Sequence, residues 1–382
     1  MNYIGSKYSL LGAIRALLAD RGIRPPGTFF DAFAGTTIVG QMAKTLGFST
    51  ISNDLQAYSQ VLARAFLVNN DPPRFAGLDL SGGDSSAFLA RTSPFGVAKG
   101  AVDIRSGDFA PLVRVLAYLD GLPGTAGAFT EAYVEGGSAG RLYFSRANGM
   151  RCQAIRDQIS GWQREGAITD LEAAILVASL LESLDQVANT ASVYAAYLKH
   201  LKGTAQARMT LRVPALIFGD AVHEAYIGDT NALADQLAGR EIAVMYVDPP
   251  YNQRQYNSYY HILETVASWD LDAFVPRGKT GLRPARRQDS QYCRRPQAAD
   301  ALIDLVERVP ADQVIVSYND EGLVDRDQLR ALLGRRSTGD DDFREFSYRR
   351  FRADADGPTR SYSGSEVFEY LYAIRTRRQA VV

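Results

Sequence analysis

Apolar residues recur with two different periods along the first fifty positions. From 8 to 20, Leu10, Leu11, Ile14, Leu17 and Leu18 fall at helical spacing until Gly22 and Pro25-Pro26 interrupt it, which predicts a short amphipathic helix and a turn. The run Thr28-Phe29-Phe30-Asp31-Ala32-Phe33 then reads as a buried strand, Ala34-Gly35-Thr36-Thr37 as a tight turn and 38–46 as a helix. A second strand at 48–52 ends in Asn53-Asp54 and completes a βαβ unit. Residues 71–107 are rich in Gly, Pro, Ser and Asp and read as loop, whereas 152–201 carry a helical stripe through Leu171, Ile175, Leu176, Ser179, Leu180 and Leu184. Strand patterns return at 241–247 and 313–318, with helices predicted at 260–268, 297–308 and 325–334. The pattern therefore predicts an α/β core in two pieces, 1–74 and 213–382, around an inserted, partly helical region at 75–212.

Composition changes this picture little. A chain of 382 residues, 46% hydrophobic and 22% charged, has ample material for a buried core. Its 42 basic and 43 acidic residues give a net charge of -1, so any nucleic-acid footprint must be a local patch. Cys152 and Cys293 are isolated, with no CxxC partner or clustered histidine, which argues against disulfides or a metal and for a reducing cytoplasm. No export signal or membrane span is evident, since the most apolar stretch, 171–188, is broken by Glu182 and Asp185.

The strongest chemical signal is Asp248-Pro249-Pro250-Tyr251, immediately after the apolar strand and so at its carboxyl end, where open α/β sheets bind ligands. An aromatic amino group such as adenine N6 is a poor nucleophile because its lone pair is delocalised. A carboxylate and a backbone carbonyl accepting both N–H bonds would favour tetrahedral nitrogen; Asp248 and the Pro249 carbonyl supply such a pair, and the prolines stiffen it. Tyr251 is placed to stack on a base flipped from a duplex, where stacking worth about 1–3 kcal/mol offsets part of the extrusion cost. The competing reading is a strand-terminating turn. The second signal is the turn at Asp31, Phe33, Ala34, Gly35 and Thr36, with Asp54 following Gly35 by 19 residues, close to the spacing of an acidic residue that binds a ribose. The turn lacks the full glycine pattern of a dinucleotide fold.

These residues resemble the D12-type adenine-specific DNA methyltransferases, in the branch of the FokI modification methylase. The resemblance rests on Asn2-Tyr3-Ile4-Gly5-Ser6-Lys7, Asp31-Ala32-Phe33-Ala34-Gly35-Thr36, Asn189-Thr190 with Tyr194-Ala195-Ala196-Tyr197-Leu198-Lys199, and the block from Asp248 to Tyr256 leading to Tyr260-His261-Ile262-Leu263-Glu264. Ser317 to Gly322 and Glu369-Tyr370-Leu371 are also similar to that branch. What it implies is a Rossmann-like methyltransferase sheet, S-adenosylmethionine as cofactor, double-stranded DNA as partner and an N6-methyladenine product. It also implies that Tyr3 and Lys7 approach the methionine carboxylate of the cofactor and that Asp229, with Asp220 as competitor, contacts its adenine. Thr37 departs from the family, where a second glycine is frequent. The order of motifs, with Asp248 lying 213 positions beyond Gly35, implies that the intervening insertion recognises the DNA sequence.

Arg277, Lys279, Arg283, Arg286, Arg287, Arg294 and Arg295 concentrate positive charge after the catalytic strand. Together with Arg254 this suggests DNA contacts at Arg254, Lys279, Arg283, Arg286 and Arg287, against the plainer reading of a solvated basic loop. His261 reads as a packing residue or a neighbour of the base, Tyr256, Tyr259 and Tyr260 as pocket or core, and Tyr348 to Arg352 as a DNA-facing edge or an amphipathic strand. The leading expectation is a cytoplasmic, nucleoid-associated DNA adenine methyltransferase without metal, with or without a cognate restriction endonuclease. RNA adenine or DNA N4-cytosine methylation, or a non-catalytic DNA-binding protein, are the alternatives; the leading Asp favours adenine.

Overall fold

The apolar run at Thr28 folds as strand β1 (Thr28–Asp31), the first of nine strands in a computed structural model that describes residues 5–80, 84–284, 289–349 and 366–376. The others are β2 (Ser49–Asp54), β3 (Pro94–Phe95), β4 (Val213–Pro214), β5 (His223–Ile227), β6 (Ile242–Val247), β7 (Ala311–Asn319), β8 (Ser337–Arg349) and β9 (Glu366–Thr376). Contacts within the chain divide it into two units. One comprises Ser6–Gln60, Ala221–Tyr256 and Ala285–Val382; the other is built mainly from Val61–Asp220 and Asn257–Pro284.

The first unit is an α/β layer structure around a seven-stranded sheet of order β5-β2-β1-β6-β7-β9-β8. The first five strands are parallel, whereas β9 pairs antiparallel with both β7 and β8. This is the Rossmann-like methyltransferase sheet that the resemblance implies. Alternation along its central strands builds two cores, since successive side chains point to opposite faces. Phe29, Val244, Tyr246, Ile315 and Leu371 face the helix Leu11–Asp20 and the helix Ile38–Leu46. Phe30, Met245, Val247, Val314 and Val316 face the helix Arg295–Arg308 and the helix Arg326–Gly334. A strand buried on both faces reads as a continuous apolar run, which is why β6 and β7 stand out in the sequence.

The second unit is helical. The stripe predicted over 152–201 is two helices, Arg146–Arg164 and Asp170–Gln186, and the chain from 187 to 201 is irregular. Gly166, at φ 69°, makes the break, and Thr169 caps the second helix in a reciprocal pair with Glu172. Beyond Gln186 the side chain of Asn189 takes over the backbone's partners, donating to the carbonyls of Leu142 (2.9 Å) and Leu198 (3.0 Å) and accepting from Lys202 N–H (3.0 Å). The loop reading of 71–107 is interrupted by a short helix, Ser86–Arg91, and by β3, which pairs with β4. No helix among the described residues is long and apolar enough to cross a membrane.

Asp120 ties this helical unit together. It is fully buried and accepts from Arg91 (2.9 Å), Arg151 (3.0 Å), Arg208 (2.9 Å) and the backbone N–H of Leu211 (3.0 Å), four contacts drawn from three segments. Removing a carboxylate from such a cluster strands Arg151, whose side chain is largely buried. Asp120→Ala is expected to lower unfolding stability by about 3–5 kcal/mol in urea titration; a loss below about 1 kcal/mol would contradict the linking role.

Candidate active site

The chain leaves β1 towards β2 and β5 on one side of the sheet, and β6 and β7 lie on the other, so the strand order reverses between β1 and β6. Helices packed on opposite faces part there, which opens a crevice beyond the carboxyl ends of the two strands. Asp31 pairs in register with Tyr246, and Ala32 N–H donates to the Tyr246 carbonyl (3.0 Å), so the 31–37 turn and Asp248 emerge side by side.

The turn is held by Asp54. Its two carboxylate oxygens accept from the N–H groups of Gly35 (2.8 Å) and Gln56 (3.0 Å), fastening the turn to the end of β2. Gly35, at φ 49°, adopts the left-handed conformation that favours glycine. Thr37 does so too, at φ 60°, although a β-branched residue pays about 1–3 kcal/mol there. Its hydroxyl offsets part of this strain, donating to the Thr36 carbonyl (2.6 Å) and accepting from Gln41 Nε2 (3.0 Å). The departure from a second glycine therefore leaves the turn intact. Asp31, buried, accepts from Gly40 N–H (3.2 Å) in the first turn of the following helix. Burial, and then the charges of Asp248 and Asp54, push its pKa up to about 8.

Asp248 follows β6 directly and belongs to a four-residue network in which Lys7 and Tyr251 are buried and Asp248 and Glu369 half-buried. Lys7 lies between two carboxylates, 3.3 Å from Asp248 Oδ1 and 3.1 Å from Glu369 Oε2. It also donates to the Tyr251 hydroxyl, which donates in turn to Asp248 Oδ1. The Lys7 ammonium stands 4.6 Å from the centre of the Tyr251 ring, and Tyr318 packs edge-on at 5.2 Å. Burial raises the pKa of Asp248 and Glu369, and Lys7 opposes that rise in both. Burial pulls the Lys7 pKa down, but the two carboxylates outweigh it and leave the ammonium more basic than usual. Among these groups Oδ1 takes both contacts to Asp248, so Oδ2 remains for an incoming donor. Pro249 is buried and Pro250 half-buried. The Tyr251 carbonyl accepts from Leu323 N–H (3.1 Å), and Tyr318 OH accepts from Leu323 (3.1 Å) and Val324 (3.2 Å). Gly322 permits that wrap, since a Cβ there would lie 2.1 Å from the Tyr318 ring.

Phe33 and Asp229 mark the other side of the turn. Phe33 packs edge-on against Tyr292 at 4.8 Å, and Asp229 caps the short helix Thr230–Leu233 through Ala232 N–H (3.1 Å). Thr230 donates to the Ala32 carbonyl (2.8 Å) and accepts from Asn53 (2.8 Å), joining the ends of β1, β2 and β5. Asp220 falls in the helical unit instead. The first unit thus brings together Lys7, Asp31, Phe33, Ala34, Gly35, Thr36, Asp54, Asp229 and Asp248 to Tyr251.

Of the predicted DNA contacts, Arg254 is exposed in the sheet unit, and Lys279 is exposed in the helical unit. Arg283 differs from the expectation of an outward cation. Its guanidinium makes a bidentate pair with Asp270 (2.7 and 2.8 Å) and covers Phe274 at 4.5 Å. Tyr3, Arg286 and Arg287 lie outside the described residues, as do Arg350 to Arg352, whereas Tyr348 and Arg349 end β8. His261 is a buried packing residue, its ring beside Tyr133 and Tyr143. Sequence reasoning missed Glu369, Tyr318, Tyr292 and Asn53; Glu369 and Tyr318 belong to segments it had already matched to the family, but nothing in their spacing ties them to Lys7 or Tyr251.

A Rossmann-like sheet with an Asp-Pro-Pro-Tyr crevice at its switch point defines an α/β methyltransferase acting on an amino group. Comparison narrows the class. The profile of the D12 class N6 adenine-specific DNA methyltransferases matches residues 3–90 and 113–331. The type II methyltransferase M.NlaIII of Neisseria lactamica is 34% identical over 376 residues, 98% of this chain and 99% of that protein. M.CviAII of Paramecium bursaria Chlorella virus 1 is 30% identical over 374 residues, 98% of each chain. M.FokI of Planomicrobium okeanokoites is 30% identical over 378 residues, 98% of this chain but 52% of the relative, so the present chain spans about half of that protein. The chain belongs to the D12 class and is an adenine-specific DNA methyltransferase.

Lys7→Met would leave two half-buried carboxylates without their cation. The variant is expected to lose about 3–5 kcal/mol at neutral pH. Asp248 and Glu369 would then have folded pKa values raised above their unfolded ones, so the folded state would bind more protons and stability would recover as pH falls. Urea midpoints near pH 5 and pH 8 measure this, and equal losses at both would contradict it.

Proposed function

We propose that the chain methylates an adenine turned out of double-stranded DNA, with S-adenosylmethionine as donor and Asp248 as the residue that holds the reacting amino group. The observation that carries the reading is a half-buried Asp248 with the Lys7 ammonium 3.3 Å from its carboxylate, beside a turn lined with further carboxylates. Asp31, Asp54 and Asp248 surround the 33–36 turn, and their mutual charges already raise the Asp31 pKa. A crevice of this polarity fits a cationic ligand rather than a polyphosphate. S-adenosylmethionine supplies the methyl group on a positively charged sulfur.

In this reading Asp54, already fixing Gly35, also binds the ribose hydroxyls. Phe33 and Asp229 hold the cofactor adenine, and Asp31, Ala34, Gly35 and Thr36 form the floor under the methionine portion. Lys7, together with Tyr3 as the family resemblance implies, binds its carboxylate. Asp248 accepts one N6–H and the Pro249 carbonyl the other, while Pro250 stiffens the pair and Tyr251 packs on the base. Two acceptors on one amino group draw its lone pair towards the methyl donor, so catalysis is positioning plus electrostatics. As N6 gains a methyl it must release a proton, and Asp248 is the base already bonded to it. Arg254 and Lys279 contact the DNA backbone, Arg286 and Arg287 remain candidates, and Arg283 serves as an internal brace. The region 75–212 reads the DNA sequence. The names of the relatives support a place in a restriction-modification system, with a cognate endonuclease as partner.

Transfer of a tritiated methyl group to duplex DNA, set against RNA of the same sequence, tests the reading. Asp248→Ala is expected to reduce transfer by at least about 10²–10³-fold while cofactor affinity stays within a few-fold, because Glu369 still neutralises Lys7. Retained transfer in the variant, or transfer to RNA alone, would overturn the assignment. A second expectation concerns pH. Asp31, with its pKa pushed up to about 8, holds a cation only when ionised, so affinity for S-adenosylmethionine should rise at most about tenfold per unit as pH approaches 8 and level off above it. Asp31→Asn should flatten that dependence in calorimetry, and an unchanged slope would remove Asp31 from the site.

A further inference from the structure

In the helical unit the turn Pro276–Leu282 is closed by paired backbone bonds between Arg277 and Leu282, each 2.8 Å. Its carbonyls point inward. Arg141 donates to those of Pro276 (3.5 Å), Gly278 (2.9 Å) and Lys279 (3.1 Å), and to Ala132 (2.7 Å) behind them. Tyr143 OH (3.0 Å) and His261 Nε2 (2.8 Å) both bind the Thr280 carbonyl, and Tyr133 OH binds that of Gly281 (2.9 Å). Burial holds the His261 pKa near 4, so at neutral pH the ring is uncharged and Nε2 carries the proton it donates. Gly281 presses on Tyr133 so closely that a Cβ would sit 2.7 Å from its ring.

A buried guanidinium spent on neutral carbonyls is a costly way to shape a surface turn, since its charge meets no carboxylate among the described residues. Arg141 is 9% exposed. What the turn displays in return is a cationic face. Arg277 and Lys279 are exposed and form no ion pair among the described residues, in contrast to Arg283 on Asp270. Beside them Val275 is 81% exposed, the most exposed of the large apolar side chains among the described residues. It sits between Phe274, covered by Arg283, and Pro276, held by Arg141.

We propose that the turn is a preset DNA-docking element, in which Arg277 and Lys279 each bind a backbone phosphate, Val275 makes an apolar contact beside them, and Arg141 is the positioning residue. The proposal rests on DNA being the substrate and adds Arg277, Val275 and Arg141 to its recognition. A turn fixed before binding spares the ordering that a flexible basic loop would require.

The test is DNA binding by the full chain across a salt series, read by fluorescence anisotropy. Each phosphate contact contributes about 0.9 to the slope of log affinity against log salt. Arg277→Ala and Lys279→Ala should each lower the slope by about one, and Arg277→Lys should restore it. Arg335→Ala, an exposed arginine in the sheet unit, should leave it unchanged. Arg141→Lys keeps the charge but loses the fork, and should raise the KM for DNA several-fold more than it lowers kcat. Slopes unchanged in both alanine variants of a protein that methylates DNA would overturn the docking element alone. Lowered slopes in a protein that transfers no methyl group to DNA would uphold the element and overturn the function.

Discussion

The proposed chemistry depends on a cation set beside a carboxylate whose charge burial works against. An acceptor for an amino group must carry no proton of its own, yet burial drives Asp248 towards the neutral form. Lys7 resolves the conflict, and Glu369 in turn keeps Lys7 charged. The three residues come from the first turn of the chain, the end of β6 and the last strand, so the site exists only once β9 has inserted between β7 and β8. The antiparallel end of the sheet is thus part of the active site as well as its edge.

The same logic governs the neighbouring turn. The reversal of strand order opens the crevice, and Asp54, Gly35 and Thr37 fix its floor through backbone donors and left-handed conformations. Asp31, Asp54, Asp248 and Glu369 converge around a single ammonium, that of Lys7 between Asp248 and Glu369, a surplus of negative charge even with the Asp31 pKa pushed up to about 8. In the proposed reading the arrangement selects the donor by charge and the acceptor by hydrogen-bond geometry.

The parts legible in the sequence are those where local pattern and burial agree. β1, β6 and β7 are covered on both faces and so show as apolar runs, and the motifs at Asp31 and Asp248 follow them directly. β5 lies at the sheet edge, and β8 carries Asp340, Asp341 and Asp342, a loop-like composition that becomes a strand only through pairing with β9. Glu369 was visible as part of a familiar segment, but its meeting with Lys7, 362 residues away, is a property of strand order. Asn189 ended a helical pattern through side-chain bonds that periodicity does not register. The pairing of Arg283 with Asp270 was illegible for the reciprocal reason, because a basic run looks alike whether its members face solvent or fold back on a carboxylate.

The central claim is that this crevice methylates adenine N6 in DNA. Its most direct measurement is to produce the chain in a bacterial host free of DNA methylation and map the modified bases of the host genome by single-molecule sequencing. The account predicts N6-methyladenine at one recurring sequence, and none when Asp248 is alanine. Methylated cytosine at the recurring sequence, or unmodified DNA from a folded protein that binds the methyl donor, would contradict it.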